Sequence, residues 1–180
     1  MARLPDPRDT LDEHGREIYD RLAGPRGGLS GVYQALMHHP DLADHVGQLG
    51  GYLRFGSTLP GDIRELAIMA TARSLGTPFM WEKHIIPSRR EHLPDEVVEL
   101  VRSGDIVTAD MSTLYKAVWE TARHIAAQEV LPGDLQALIV AELGERGLVE
   151  LVGTCGFYRF IASVAVSFDV ALPDEGPAPF

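Results

Sequence analysis

Cysteine and asparagine are nearly absent from this sequence of 180 residues. Cys155 is the single cysteine, and there is no asparagine. One cysteine cannot form a disulfide or a dithiol redox centre within the chain, and a chain without asparagine has no N-glycosylation site. The first residues contain no apolar segment of the kind found in secretory leaders. We therefore expect a protein of the reducing cytoplasm.

Positive charge is also scarce. The chain has 16 Lys and Arg residues against 26 Asp and Glu residues, which gives a formal net charge of -10. Nucleic acids and anionic membranes attract clustered positive charge, so we expect neither as a partner. The most apolar stretch, 151–168, contains Arg159 and falls short of the roughly 20 uninterrupted apolar residues that span a bilayer. It predicts a buried helix, and a small molecule remains the expected partner.

Alternating polar and apolar residues, the signature of strands, are not sustained in any segment. Apolar residues instead recur at helical spacing, as at Leu42, Val46, Leu49 and Leu53. A chain of this length with 45% hydrophobic residues can bury a sizeable core. The sequence predicts an all-α, single-domain helical bundle of about eight helices. We expect an N-terminal helix and loop at 1–29, a helical domain at 30–172 and an extended tail at 173–180.

Local capping signals predict individual helix ends. Asp9 and Thr10 are placed to cap the first helix. Gly76 suits the end of a helix that begins at Gly61. Thr77, followed by Pro78, suits the start of the next helix, which we expect to end near residue 92. The short turn between these two helices predicts an antiparallel hairpin.

Two titratable residues fall at similar heights on this predicted hairpin. At ~1.5 Å per residue, Glu65 lies roughly 16 Å before Gly76 and His84 roughly 12 Å after it. If both side chains face the seam, the carboxylate can hold the imidazole in one tautomer, as proton transfer requires. The alternative is a surface Glu65 beside Arg64 and a half-buried structural histidine. Spacing alone leaves both interpretations open.

Two further clusters have both a structural and a functional interpretation. Met80 and Trp81 share a helix face with His84, where they form either core or the wall of a pocket. The histidines and aspartates between residues 38 and 45 form either a polar helix junction or a metal site. A metal needs three or four converging ligands, and the helix break at Pro40 separates these side chains. We therefore expect no metal.

Several short motifs, taken in order, resemble a known family. They are Leu59-Pro60, Ile63-Arg64-Glu65-Leu66-Ala67, Ala72-Arg73, Gly76, Trp81, His84 and Pro87, with His39-Pro40 and Tyr52-Leu53-Arg54 upstream and Gly156-Phe157-Tyr158 downstream. Over roughly residues 30 to 172 the chain resembles the carboxymuconolactone decarboxylase and alkylhydroperoxidase D-like proteins. The resemblance implies a helical bundle of the alkylhydroperoxidase D-like type, and a homo-oligomer, either a trimer or a hexamer.

The resemblance also bears on the chemistry. The peroxidase branch of that family uses a Cys-x-x-Cys pair, a following His and an upstream Glu. His84 and Glu65 match the last two, whereas Thr77 and Met80 stand at the cysteine positions. Neither residue can form a thiolate, so we expect no thiol peroxidase activity. Cys155, within an apolar helix, is expected to be an inert core residue.

Two functions of different classes follow. The first is a cofactor-independent lyase or isomerase, decarboxylase-like, acting on a small carboxylated or cyclic organic substrate, with His84 transferring a proton and Glu65 orienting it. The second is a non-enzymatic small-molecule-binding or assembly protein that retains the fold. Many decarboxylase-like members carry Glu-Trp before the His, where this chain has Met80-Trp81, and the missing acid favours the second function. The retention of both Glu65 and His84 favours the first, which is the function we expect. The expected substrate-binding residues are Trp81, Met80, Tyr158 and Phe55.

Overall fold

The computed structural model describes residues 4–29, 31–105, 111–172 and 179–180. Within these ranges the chain is helical and contains no strand, which confirms the predicted all-α class. Of the tail expected at 173–180, residues 173–178 lie outside the described ranges. The described residues form eight α-helices: α1 Glu13–Ala23, α2 Val32–Leu36, α3 Pro40–Gly51, α4 Gly61–Ser74, α5 Pro78–Arg90, α6 Asp95–Ser103, α7 Thr113–Ala127 and α8 Gly133–Ser167.

The chain divides into two compact units. The first comprises 1–56 and 163–171, and the second comprises 57–162 and 172–180. Short 3-10 turns at Arg8–Thr10 and Gly24–Arg26 and a π-helical turn at Tyr52–Gly56 belong to the first unit.

In the first unit, α1 packs against α3. Ile18 and Leu22 form the apolar face of α1 and are buried. Leu22 lies so close to Gly47 of α3 that a side chain at Gly47 would collide with it. The predicted cap at Asp9 and Thr10 is wrong, because those residues form the 3-10 turn. Asp12 caps α1 instead, since its side chain accepts a hydrogen bond from the backbone of Gly15 at 2.8 Å.

In the second unit, α4 is the central helix. It packs against α5, α6 and α7 and is buried on nearly every side, from Ile63 to Ala72. A helix buried all round carries no polar stripe. Tyr115 of α7 donates a hydrogen bond to Asp62 of α4 at 2.7 Å. Burial, together with this bond, raises the pKa of Tyr115 to about 12.

The turn between α4 and α5 has the predicted glycine geometry. Gly76 adopts a φ of 59°, the left-handed region that glycine enters without steric cost. The backbone N–H of Thr77 then donates to the carbonyl of Ala72 at 2.9 Å, which closes the end of α4. Pro78 begins α5 at the position where a missing N–H is tolerated. The two helices form the expected antiparallel hairpin.

The last helix is interrupted at one glycine. Gly144 has a φ of 73° and a ψ of 170°, so α8 consists of two helical segments joined by a break. By length and hydropathy α8 is the one described helix that could cross a membrane, yet 56% of its most apolar window is buried within the protein. Burial of that extent is the pattern of a core helix. Glu150 of α8 accepts hydrogen bonds from the backbone and hydroxyl of Thr58 at 2.7 and 2.6 Å, which fixes the loop before α4.

Candidate functional site

The centre of the candidate site is a buried hydrogen bond between α4 and α5. Nδ1 of His84 lies 2.7 Å from Oε2 of Glu65, with side-chain exposures of 7% and 2%. A carboxylate can only accept, so Nδ1 carries the hydrogen and donates it. That tautomer leaves Nε2 with a free lone pair, and no described residue forms a hydrogen bond with it. The predicted meeting of the two side chains is confirmed, and the alternative of a surface Glu65 is wrong.

Arg64 supplies positive charge beside this pair. Its Nε lies 3.9 Å from Oε1 of Glu65, too far for a hydrogen bond but close enough for attraction. Its Nη2 pairs with Oε1 of Glu91 at 3.0 Å. Glu91 itself lies so near Gly61 that any side chain at that position would collide with it. A buried carboxylate is costly unless charge or hydrogen bonds compensate it, and Glu65 has His84 and Arg64 for this purpose.

Sequence reasoning named Arg64 only as a surface neighbour and missed Glu91. Counting residues from the turn placed Glu65 opposite His84 in the sequence analysis. The same counting could have placed Glu91 opposite the start of α4. Glu91 follows the end of α5, where the chain passes the first turn of α4. A salt bridge from the first turns of α4 to that point closes the open end of the hairpin.

Tyr158 of α8 fixes the imidazole from a third helix. Its ring meets that of His84 edge to face, with centroids 5.1 Å apart and an interplanar angle of 87°. Phe157 meets Tyr158 in the same way at 5.4 Å. Such contacts hold ring planes at defined angles. Tyr158 is thus adjacent to the pair, as its expected place in the site requires, and its role in substrate binding stays a prediction.

Met80 and Trp81 are both buried, at 1% and 2% exposure. The ring that contacts Trp81 is that of Phe180, with centroids 5.3 Å apart. Phe55 lies in the first unit and is 67% exposed, with the Arg54 guanidinium 5.1 Å from its ring centroid. The binding roles of Met80, Trp81 and Phe55 stay predictions.

The residues at the family's cysteine positions cannot replace thiols. Thr77 stands at the N-cap of α5, as predicted, although its side chain makes no capping hydrogen bond. Its hydroxyl is buried without a hydrogen-bond partner among the described residues. Cys155 is fully buried, and burial raises the pKa of its thiol to about 12. A thiol of that kind is almost never a thiolate at neutral pH.

The described residues contain no group of three or more potential ligands placed to hold a metal ion. The histidines near Pro40 have separate partners in the first unit. His38 bonds the carbonyl of Pro5 at 2.9 Å, and His39 accepts from the backbone of Leu42 at the start of α3. His14 pairs with Asp41 at 2.8 Å. This cluster is a polar helix junction, which is one of the two interpretations of its sequence.

Comparison with known proteins identifies the fold. No family model and no curated protein sequence matches the chain. Among solved structures, an alkylhydroperoxidase AhpD core, an uncharacterized peroxidase-related protein from Ralstonia eutropha JMP134, has a TM-score of 0.78 and 19% identity. The match covers 96% of this chain and 93% of that protein. The predicted fold of the alkylhydroperoxidase D-like type is confirmed.

Two other solved structures agree. A peroxidase-related protein from Silicibacter sp. TM1040 has a TM-score of 0.76 and 15% identity over 94% of this chain and 91% of its own. The debrominase Bmp8, as a cysteine-to-alanine variant in complex with 2,3,4-tribromopyrrole, has a TM-score of 0.71 and 14% identity over 99% and 93%. At such identities the likeness concerns the fold, and the chemistry must be argued from this chain's own residues.

Proposed function

We propose that this chain is a cofactor-independent lyase or isomerase, decarboxylase-like, that acts on a small carboxylated or cyclic organic molecule. The observation that carries the proposal is the buried 2.7 Å hydrogen bond from His84 to Glu65. It fixes the imidazole tautomer and directs Nε2 away from the carboxylate. A histidine so oriented is suited to general acid–base work near neutral pH.

The proposed lyase step balances without a metal or redox partner. The electron pair of the carbon–carboxylate bond passes into a neighbouring carbonyl of the substrate, and CO₂ leaves an enolate. Protonated His84 then gives its Nε2 proton to the enolate carbon and takes another from solvent. In the isomerase version, neutral Nε2 removes a proton next to a carbonyl and returns it to a different carbon. Glu65 stabilises the imidazolium in both versions.

The size of the substrate is supported by the neighbours of the pair and by one structural relative. Tyr158, edge to face on His84, offers an aromatic surface beside the imidazole. Bmp8, which shares the fold, was crystallised with 2,3,4-tribromopyrrole, a small cyclic organic molecule. We do not assign the reactions of Bmp8 or of the peroxidase-related proteins to this chain. Its single thiol is buried at Cys155.

A thermal-shift screen of carboxylated aromatics and lactones tests the proposal, because a ligand of the native state raises its melting temperature. Each hit is then assayed for CO₂ release or isomerisation. His84→Ala should abolish turnover, and Cys155→Ser should leave it unchanged. A substrate turned over equally well by His84→Ala would refute the assignment.

A second candidate is a non-enzymatic binding or assembly protein. It is favoured by Met80, a buried thioether where many decarboxylase-like relatives carry an acid. The same screen separates the two candidates. Hits that bind this chain and its His84→Ala variant equally, and that are never converted, would support the second.

We also propose a homo-oligomer, trimeric or hexameric. The support is an exposed apolar face on α8 in the second unit, formed by Val149, Val152 and Phe160. Gly156, on the same face, has open space around it. Contiguous exposed apolar area is typical of a contact surface. Sedimentation at micromolar concentration should give a mass above the 19.7 kDa of the monomer.

A further inference from the structure

Phe180 is held by contacts of the kind that proteins use to bind an aromatic ligand. Its ring meets Trp81 edge to face, with centroids 5.3 Å apart and planes at 88°. The guanidinium carbon of Arg73 lies 5.1 Å from the same ring centroid. An indole edge and a cation over a ring face are both electrostatically favourable partners for an aromatic ring. Trp81 and Arg73 together form a slot for one ring.

The carbonyl before this ring is also bound. Nη1 of Arg102 donates to the carbonyl oxygen of Pro179 at 3.3 Å. Arg102 is fixed in turn, because its carbonyl accepts from Nε of Arg73 at 2.8 Å and its guanidinium pairs with Glu99. The two arginines therefore stand on α4 and α6 in a set arrangement. They offer a cation to the ring and a donor to a carbonyl next to it.

One side chain of the slot also borders unfilled space. Arg73 also lines a cavity of about 370 Å³ together with Ser74, Gly104, Trp119 and Arg123. The hydroxyl oxygen of Ser74 is buried there without a hydrogen-bond partner among the described residues. Cavities of this volume hold small organic ligands, and a few placed polar groups orient them. Arg73 thus belongs both to the slot and to the lining of this cavity.

We propose that the slot of Trp81, Arg73 and Arg102 is a binding site for an aromatic ring that carries an amide or acyl carbonyl. Phe180, with the Pro179 carbonyl, occupies this site from within the chain. The ligand class is read from the occupant, whose ring and preceding carbonyl are the two groups bound. Trp81 is also an expected substrate-binding residue, but neither Glu65 nor His84 enters the site. His84→Ala therefore tests the proposed function and Phe180→Ala tests this site, and either test can fail without the other.

Tryptophan fluorescence tests whether Phe180 covers Trp81. The chain has two tryptophans, so Trp119→Phe leaves Trp81 as the single reporter. In that background Phe180→Ala should shift the emission to the red and increase quenching by acrylamide. Phe168→Ala is the matched control, because Phe168 is a partly exposed phenylalanine just beyond α8 that takes part in neither contact. Unchanged emission and quenching in Phe180→Ala would overturn the proposal.

The probe for ligand binding is N-acetyl-L-phenylalaninamide, whose acetyl carbonyl and ring reproduce the two bound groups. It should restore the protection of Trp81 in Phe180→Ala and raise the melting temperature of that variant saturably. It should bind the protein with Phe180 far more weakly, and adding Arg73→Gln to Phe180→Ala should weaken it again. N-acetyl-L-alaninamide, which lacks the ring, should do nothing.

Two results would refute a ligand site even if Phe180 covers Trp81. One is a Phe180→Ala protein that the probe never restores. The other is equal restoration by the probe lacking the ring. If Trp119→Phe does not fold, the melting-temperature arm is run on the protein with both tryptophans, and Phe180→Leu replaces Phe180→Ala if that variant fails to fold. Leucine keeps apolar volume but removes the ring face that Arg73 contacts.

Discussion

Two histidine–carboxylate bonds of almost equal length lie in opposite surroundings. His84 and Glu65 are 2.7 Å apart with side-chain exposures of 7% and 2%, whereas His14 and Asp41 are 2.8 Å apart with exposures of 63% and 65%. At the surface, water competes for both groups, and such pairs contribute little to stability. In the interior each group has lost its water and depends on its partner. Burial, and not bond length, therefore distinguishes the pair that we propose to be catalytic from the exposed pair.

The largest expected difference between the two pairs is in turnover. His84→Ala should lower the rate with an identified substrate by roughly 10²–10⁴-fold, the usual range for loss of a general acid or base. Glu65→Gln should keep the shape and lose most of the rate, since an amide cannot balance an imidazolium. His14→Ala is the matched control and should leave the rate unchanged. Equal rates for His84→Ala and His14→Ala would remove any catalytic distinction between the pairs.

The second difference is in stability. Glu65→Ala should lower the free energy of unfolding by about 1–3 kcal/mol, because it leaves His84 and Arg64 without their buried partner. Asp41→Ala should lower it by much less than Glu65→Ala, because solvent replaces most of the lost bond. Urea unfolding of both variants measures this. A loss from Asp41→Ala as large as that from Glu65→Ala would contradict the argument from burial.

The buried pair could be predicted from the sequence because it depends on local rules. A glycine at a helix end, a proline at the next helix start and a fixed rise per residue place Glu65 opposite His84. The same rules explain a failure. Asp9, Thr10 and Asp12 are all of residue types that cap helices. Asp12 is the actual cap because Asp9 and Thr10 lie in a 3-10 turn, and no sequence pattern marks that turn.

Contacts between distant segments were less accessible. Tyr158 was reached through the family motif, because nothing local to α8 shows that its ring meets His84. The ring of Phe180 on Trp81 and the Glu150 bonds to Thr58 were missed. Each joins segments far apart in sequence, and helical periodicity describes only the face a residue occupies. Packing of distant segments, not local propensity, decides which ring or carboxylate meets that face.

Arg64 sharpens the comparison because, among the described residues, no guanidinium forms an ion pair with His14 or Asp41. His14 and Asp41 lie in solvent, whereas the Glu65 carboxylate has a guanidinium 3.9 Å away. Arg64→Gln should slow turnover less than Glu65→Gln and lower stability by about 1 kcal/mol, as for partial loss of charge compensation. A double-mutant cycle of Arg64→Gln and Glu65→Gln measures the coupling. Strictly additive effects would show that Arg64 serves only Glu91.

The smallest effect expected is the pH dependence that the exposed pair gives to stability. The hydrogen bond to Asp41, followed by attraction to Asp41, Asp12 and Glu17, raises the pKa of His14 above 6.5. The bond to His14 lowers the pKa of Asp41 below 3.8. A raised histidine pKa stabilises the fold below its ordinary value and loses that contribution as pH rises through the raised value. A lowered aspartate pKa stabilises above its ordinary value and loses the contribution as pH falls through the lowered one.

The exposed pair should therefore stabilise the first unit only at pH values between the lowered pKa of Asp41 and the raised pKa of His14. Melting temperatures of the protein and of His14→Gln, compared from acid to alkaline pH, should differ slightly inside that window and converge outside it. Added salt should shrink the difference, because both groups are exposed to screening ions. A difference that persists above the histidine pKa, or that salt leaves unchanged, would show that His14 acts through packing and not through charge.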